Sequence, residues 1–151
     1  MSRSTDRPKL LPLVTTALDL SIDMLRHTGG PLTPSVLRAE GKSTEVHRFV
    51  AETLEEGQDR AREYLRQCNG ATSAAALVYD GYLTCSGVRT DAVFVAAQAV
   101  GTDRSDLYAM AYRFTADGVE ELGNAKHVEV DEPSLFGTPQ RRRSMLGLRR
   151  R

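Results

Sequence analysis

The chain has 151 residues, 40% of them apolar and 26% charged, with 20 basic and 20 acidic side chains. That length supports one full hydrophobic core and is short for two, and no apolar run approaches the roughly 20 residues of a membrane-spanning helix. Two cysteines, Cys68 and Cys85, lie far apart with no ligand-like spacing to a histidine, which argues against a disulfide framework and for a reducing, cytoplasmic setting. The zero net charge is uneven: Arg141, Arg142, Arg143, Arg149, Arg150 and Arg151 leave the preceding 140 residues at −6. An acidic body with a basic tail is not the profile of a folded surface that grips nucleic acid.

In chain order, residues 1–9 are polar and read as a disordered lead. Pro12 suits a first helical turn, and Val14, Ala17, Leu18, Ser21, Ile22 and Leu25 fall on one helical face. Asp19 and Asp23 on the remaining surface favour an amphipathic helix over a secretory signal. Gly29-Gly30-Pro31 stops it. Val36–Glu40, bounded by proline and glycine, predicts a strand.

Residues 43–68 predict one long helix, capped by Ser43 or Thr44. Its stripe is Val46, Phe49/Val50, Thr53/Leu54, Gly57, Ala61, Tyr64/Leu65 and Cys68. Glu56–Arg60, Asp59–Arg62 and Glu63–Arg66 are spaced as ion pairs on the other face. Gly57, inside the stripe, implies another backbone passing close by. Then the period changes: Ala74–Thr84, a Ser86-Gly87 turn, Arg89–Val100, Leu107–Thr115, an Asp117-Gly118 turn, and a weak strand over 119–122 or 126–130. Leu135-Phe136, framed by Pro133 and Pro139, reads as an apolar plug ahead of a flexible tail.

The expectation is therefore an α+β fold, a two-layer α/β sandwich of order α-β-α-β-β-β(-β). Its sheet is mainly antiparallel, with one parallel crossover around helix 43–68. Residues 10–137 form the domain and 138–151 an arginine-rich tail.

A two-residue turn at Ser86-Gly87 pairs Cys85 with Val88, Thr84 with Arg89, Leu83 with Thr90, Tyr82 with Asp91, Gly81 with Ala92 and Tyr79 with Phe94. Tyr79, Leu83, Ala92 and Phe94 share the face expected under the long helix. The opposite face collects Asp80, Tyr82, Thr84, Arg89 and Asp91, the one polar group that suggests a site. Asp80 and Asp91 are candidates to share a divalent cation or shift each other's pKa, with Arg89 and Tyr82 beside them; an Arg89–Asp91 ion pair is the simpler account. Farther along, that face turns apolar through Ala76, Val78, Val93, Val95 and Ala97. It needs cover from the first helix, the C-terminal segment or a second subunit, and a homodimer is expected.

Three scattered histidines, His27, His47 and His127, do not suggest zinc. Gly29-Gly30 precedes a proline and is no phosphate loop, and no cofactor motif is present. Tyr108, Met110, Tyr112 and Phe114 alternate on one strand as core or interface. The run Ala75–Thr84 with Gly87–Val93 resembles segments of small bacterial proteins, a likeness that implies no activity. The leading expectation is a non-catalytic, homo-oligomeric interaction or structural module. Two alternatives are a metal-dependent hydrolase or nuclease-like enzyme using Asp80 and Asp91, and a nucleic-acid-binding accessory protein acting through the arginine clusters of 141–143 and 149–151.

Overall fold

Apolar side chains at helical spacing need a surface to cover, and in this chain that surface is one antiparallel sheet. A computed structural model describes residues 2–68, 72–130 and 132–136. The order is α1 (Ser2–Thr28), β1 (Ser35–Glu40), β2 (Ser43–Arg48), α2 (Leu54–Arg66), β3 (Ala74–Cys85), β4 (Val88–Ala99), β5 (Asp106–Thr115), β6 (Gly118–Glu121) and β7 (Lys126–Val128). The helical backbone of α1 reaches back to Ser2, through the stretch expected as a disordered lead. The predicted stripe of α1 is buried from Val14 to Leu25. Its end is a glycine stop, with Gly29 at φ +78° donating its N–H to the Leu25 carbonyl at 2.9 Å.

The long helix predicted over 43–68 divides in two. Ser43–Arg48 is strand β2, folded back on β1 through Gly41-Lys42 with Glu40 opposite Ser43. Gly41 holds the turn at φ +60°, and Arg38 fastens the hairpin through Glu40 (2.6 Å) and Glu45 (2.9 Å). Helix α2 is capped by Thr53, nine residues beyond Thr44, the later of the two predicted caps: Thr53 Oγ1 accepts the Glu56 N–H at 3.0 Å. Of the predicted surface pairs, Glu56–Arg60 and Glu63–Arg66 form at 3.1 and 2.7 Å, while Arg62 lies 6.0 Å from the centre of the Tyr79 ring.

The sheet runs β2-β1-β3-β4-β5-β6, with β7 pairing the free edge of β5 beside β6. Every pairing is antiparallel. The predicted parallel crossover is therefore corrected: β1 pairs β3 antiparallel, Leu37 opposite Ala76. The missed strand is the cause, because β2 reverses the chain before α2 carries it across the sheet. The β3–β4 register is as predicted, from Cys85 opposite Val88 through Tyr79 opposite Phe94. Ser86 (φ 51°) and Gly87 (φ 79°) make the positive-φ turn that suits the strands' twist.

Alternation along the strands builds two cores. On one face Leu37, Ala76, Val78, Val93, Val95, Tyr108, Met110 and Tyr112 pack against Leu10, Leu13, Val14, Ala17, Leu18, Ile22 and Leu25 of α1. On the other, Val36, Ala75, Leu77, Ala96 and Leu107 pack against Ala61 and Leu65 of α2 and against Leu135. The layers are thus helix, sheet, helix, in place of the two expected. The apolar half-face that prompted a dimer is covered by α1, and the Tyr108–Tyr112 stripe is core beneath it.

Two details carry measurable consequences. A β-carbon on Gly57 would stand 2.5 Å from the Phe49 carbonyl oxygen and 3.3 Å from Pro34 Cγ, so the backbone implied by sequence is the β2–α2 connection. Gly57→Ala, a change that favours an exposed helix by about 1 kcal/mol, is expected to destabilise this protein by about 1–3 kcal/mol in urea unfolding. Gln98, fully buried, accepts the Leu135 N–H at 2.6 Å and donates to the Thr102 carbonyl (2.9 Å) and Ser134 Oγ (3.1 Å). It holds the predicted Leu135-Phe136 plug against the α2 core. Gln98→Ala is expected to cost about 1–3 kcal/mol and to speed hydrogen exchange at Leu135 and Phe136.

Candidate functional site

Strand β1 ends its pairing with β3 at Ser35 opposite Val78, and β5 leaves β4 at Ala111 opposite Ala92. Beyond those points β3 and β4 continue as a two-stranded ribbon. At its root, on the α1 side, a cleft of about 330 Å³ opens. Asp80 and Tyr112 form its floor, Tyr82, Asp91 and Phe114 stand around it, and Gly29-Gly30-Pro31 with Leu54 make the lip.

Asp80 is the centre of the arrangement. Its Oδ2 accepts the Leu32 N–H at 2.9 Å and its Oδ1 the Gly81 N–H at 3.1 Å. The Tyr112 hydroxyl donates to both oxygens, at 3.0 and 3.2 Å. Burial pushes the Asp80 carboxyl above the ordinary aspartate value, and nearby Asp91 adds to this, against the opposing hydrogen bonds from Leu32, Tyr112 and Gly81. Burial, followed by the charge of Asp80, drives the Tyr112 phenol well above its usual range, so it stays a donor. The carboxylate thereby ties the α1–β1 connection to the middle of the sheet.

Gly30, at φ +79°, lies so close to Phe114 that a β-carbon there would meet the ring edge at 3.0 Å. Phe114 in turn sets its ring edge-on to Tyr112, with centres 5.7 Å apart at 88°. The aromatic wall is continuous from floor to rim.

The structure brings Asp80, Tyr82 and Asp91 to one cleft, as the predicted register requires. It places Arg89 differently: the guanidinium lies 3.8 Å from the centre of the Tyr82 ring, and among the described residues no ion pair joins it to Asp91. Tyr112, Phe114 and the Leu32 N–H were not among the predicted site residues. The Tyr108–Phe114 alternation was the available signal, but its reach to Asp80 depends on how β4 and β5 align. His127, a lone residue in the sequence, contacts Asp106 (3.3 Å) and Glu129 (2.9 Å). Among the described residues no three His, Cys, Asp or Glu side chains converge in a way that could hold a metal ion. No helix is long and apolar enough to cross a membrane among the residues described. The six arginines of 141–151, and the Cys85 side chain, lie outside the described residues.

No protein-family model matches the chain, and neither a curated protein nor a solved structure matches it.

The raised carboxyl of Asp80 has a defined effect on stability. The unfolded aspartate ionises near pH 3.9, before the folded one does, so the stability linked to this shift is complete below that pH. It is lost as the pH climbs through the folded-state value. Unfolding of the wild type and Asp80→Asn in urea at a series of pH values is expected to show the stability difference between them shrinking as the pH rises from about 4.

Proposed function

We propose that this protein is a non-catalytic binding module whose recognition site is the cleft at the root of the β3–β4 ribbon. The observation that carries the reading is the commitment of Asp80. Three protein donors, the Leu32 N–H, Gly81 N–H and Tyr112 O–H, already engage its two oxygens. A general base or a metal ligand needs lone pairs directed at a substrate or an ion, and those of Asp80 are turned inward. What faces the cleft is recognition chemistry: aromatic rings, a glycine lip and the second carboxylate, Asp91. A volume near 330 Å³ is at the lower end of small-molecule sites.

The metal-dependent hydrolase reading has less support. It asks Asp80 and Asp91 to share a cation, and one of the two is held by the fold. The dimer reading loses the open sheet face that suggested it.

A small-molecule fragment library titrated into isotopically labelled protein tests the proposal. Amide shifts are expected to concentrate at Gly30, Gly81, Tyr82, Asp91 and Phe114, with each binder recovered chemically unchanged. Turnover of a binder that disappears in Asp80→Asn, or thermal stabilisation by Mn²⁺ that disappears in both Asp80→Asn and Asp91→Asn, would overturn it.

A further inference from the structure

We infer that the cleft takes a compact organic cation, an alkylammonium group whose charge sits beside Asp91 and Asp80 while its carbons lie against Tyr82 and Phe114. This rests on the cleft being a binding site and specifies the chemistry it selects.

The argument begins with charge. Among the described residues lining the cleft there are two carboxylates and no lysine, arginine or histidine. The nearest cation on the ribbon, Arg89, is engaged with the Tyr82 ring at 3.8 Å. Two acids face one half-enclosed space, and the resulting tension falls on Asp80 and Tyr112, both of which the charge of Asp91 pushes upward. A monovalent cation relieves it, and an anion adds to it.

Hydrogen-bond capacity then separates the two carboxylates. Asp80 is engaged by three protein donors, so it offers mainly its field. No hydrogen bond or ion pair from another described residue reaches the Asp91 side chain, which leaves it to accept from an N–H of the ligand. The walls decide between kinds of cation. A hydrated metal ion prefers several oxygen ligands, and this space supplies rings. Aromatic faces attract an alkylated ammonium through their quadrupoles and also bury its carbons. Tyr82 already binds one organic cation, the guanidinium of Arg89. Phe114, backed edge-on by Tyr112 and pressed by Gly30, presents the opposing apolar surface.

The test uses n-butylammonium, tetramethylammonium and the uncharged n-butanol, titrated at constant ionic strength with labelled full-length protein. n-Butylammonium is expected to bind at the cleft about tenfold or more tightly than n-butanol. Asp91→Asn is expected to weaken it about tenfold, and Tyr82→Leu about three- to tenfold. Tetramethylammonium, lacking an N–H, is expected to bind more weakly than n-butylammonium and to lose less on Asp91→Asn. Equal affinity for n-butanol and n-butylammonium, or an Asp91→Asn variant that folds and binds n-butylammonium unchanged, overturns the inference while leaving the cleft a binding site. Fragments of every charge failing to shift any cleft amide overturns both readings.

Discussion

On the floor of the cleft, the two oxygens of Asp80 are held by the chain's own donors, the Leu32 and Gly81 N–H groups and the Tyr112 hydroxyl. By accepting the Leu32 N–H Asp80 fixes the place where α1 hands over to β1, and with it the position of two layers at once. α1 must lie over β3, β4 and β5 because its C-terminal end is moored there, and β1 must begin beside Val78 because only two residues, Thr33 and Pro34, separate Leu32 from Ser35. Tyr112 completes the mooring from β5, so strands on either side of β4 are joined through side chains as well as through the ladder. The alternative, an unpaired backbone N–H at a half-buried crossing, costs about as much as a lost hydrogen bond.

The two faces of the sheet are filled by different means. α1 supplies a long row of leucine, valine and isoleucine, each worth about 1.5–3 kcal/mol when fully buried. α2 is half as long and contributes only Ala61 and Leu65 from its fully buried apolar positions. The shortfall is met by the half-buried Tyr64 of α2 itself, by Phe49 from the β2–α2 connection, whose ring centre is 5.6 Å from that of Tyr64, and by the Leu135 plug seated by Gln98. Small residues permit the close approach. Gly57 lets the helix lie against the Phe49 carbonyl, and Gly81 leaves room for the Phe94 ring, which would stand 2.8 Å from a β-carbon there.

Much of this was legible in the sequence, for reasons that can be named. Ser86-Gly87 fixed the β3–β4 register because a two-residue turn with positive φ leaves no slack, and every pairing down to Tyr79–Phe94 followed. The buried face of α1 and the crowding at Gly57 were readable from periodicity alone. Strand β2 was not. Nearly all its side chains are exposed, so it shows no in–out alternation, and Val46 and Phe49 happen to extend the stripe of α2 at helical spacing. That one miss reversed the direction of β1 relative to β3 and produced the parallel crossover. The gathering of Asp80, Tyr82 and Asp91 was foreseen, but the role of Asp80 was hidden. Its partners are a backbone group 48 residues away and a phenol 32 away, neither of which leaves a local pattern.

The ribbon at whose root the cleft lies has a mechanical meaning. Asp80 and the lip at Gly30-Pro31 belong to the moored body of the sheet, whereas Tyr82 and Asp91 stand directly opposite each other just past its last flanking ladder. Two-stranded ribbons carry more twist than wide sheets and bend more readily. The aperture is thus a jaw with one side on the body of the sheet and one side carried on a torsion bar, so a change in the ribbon's coil changes its width.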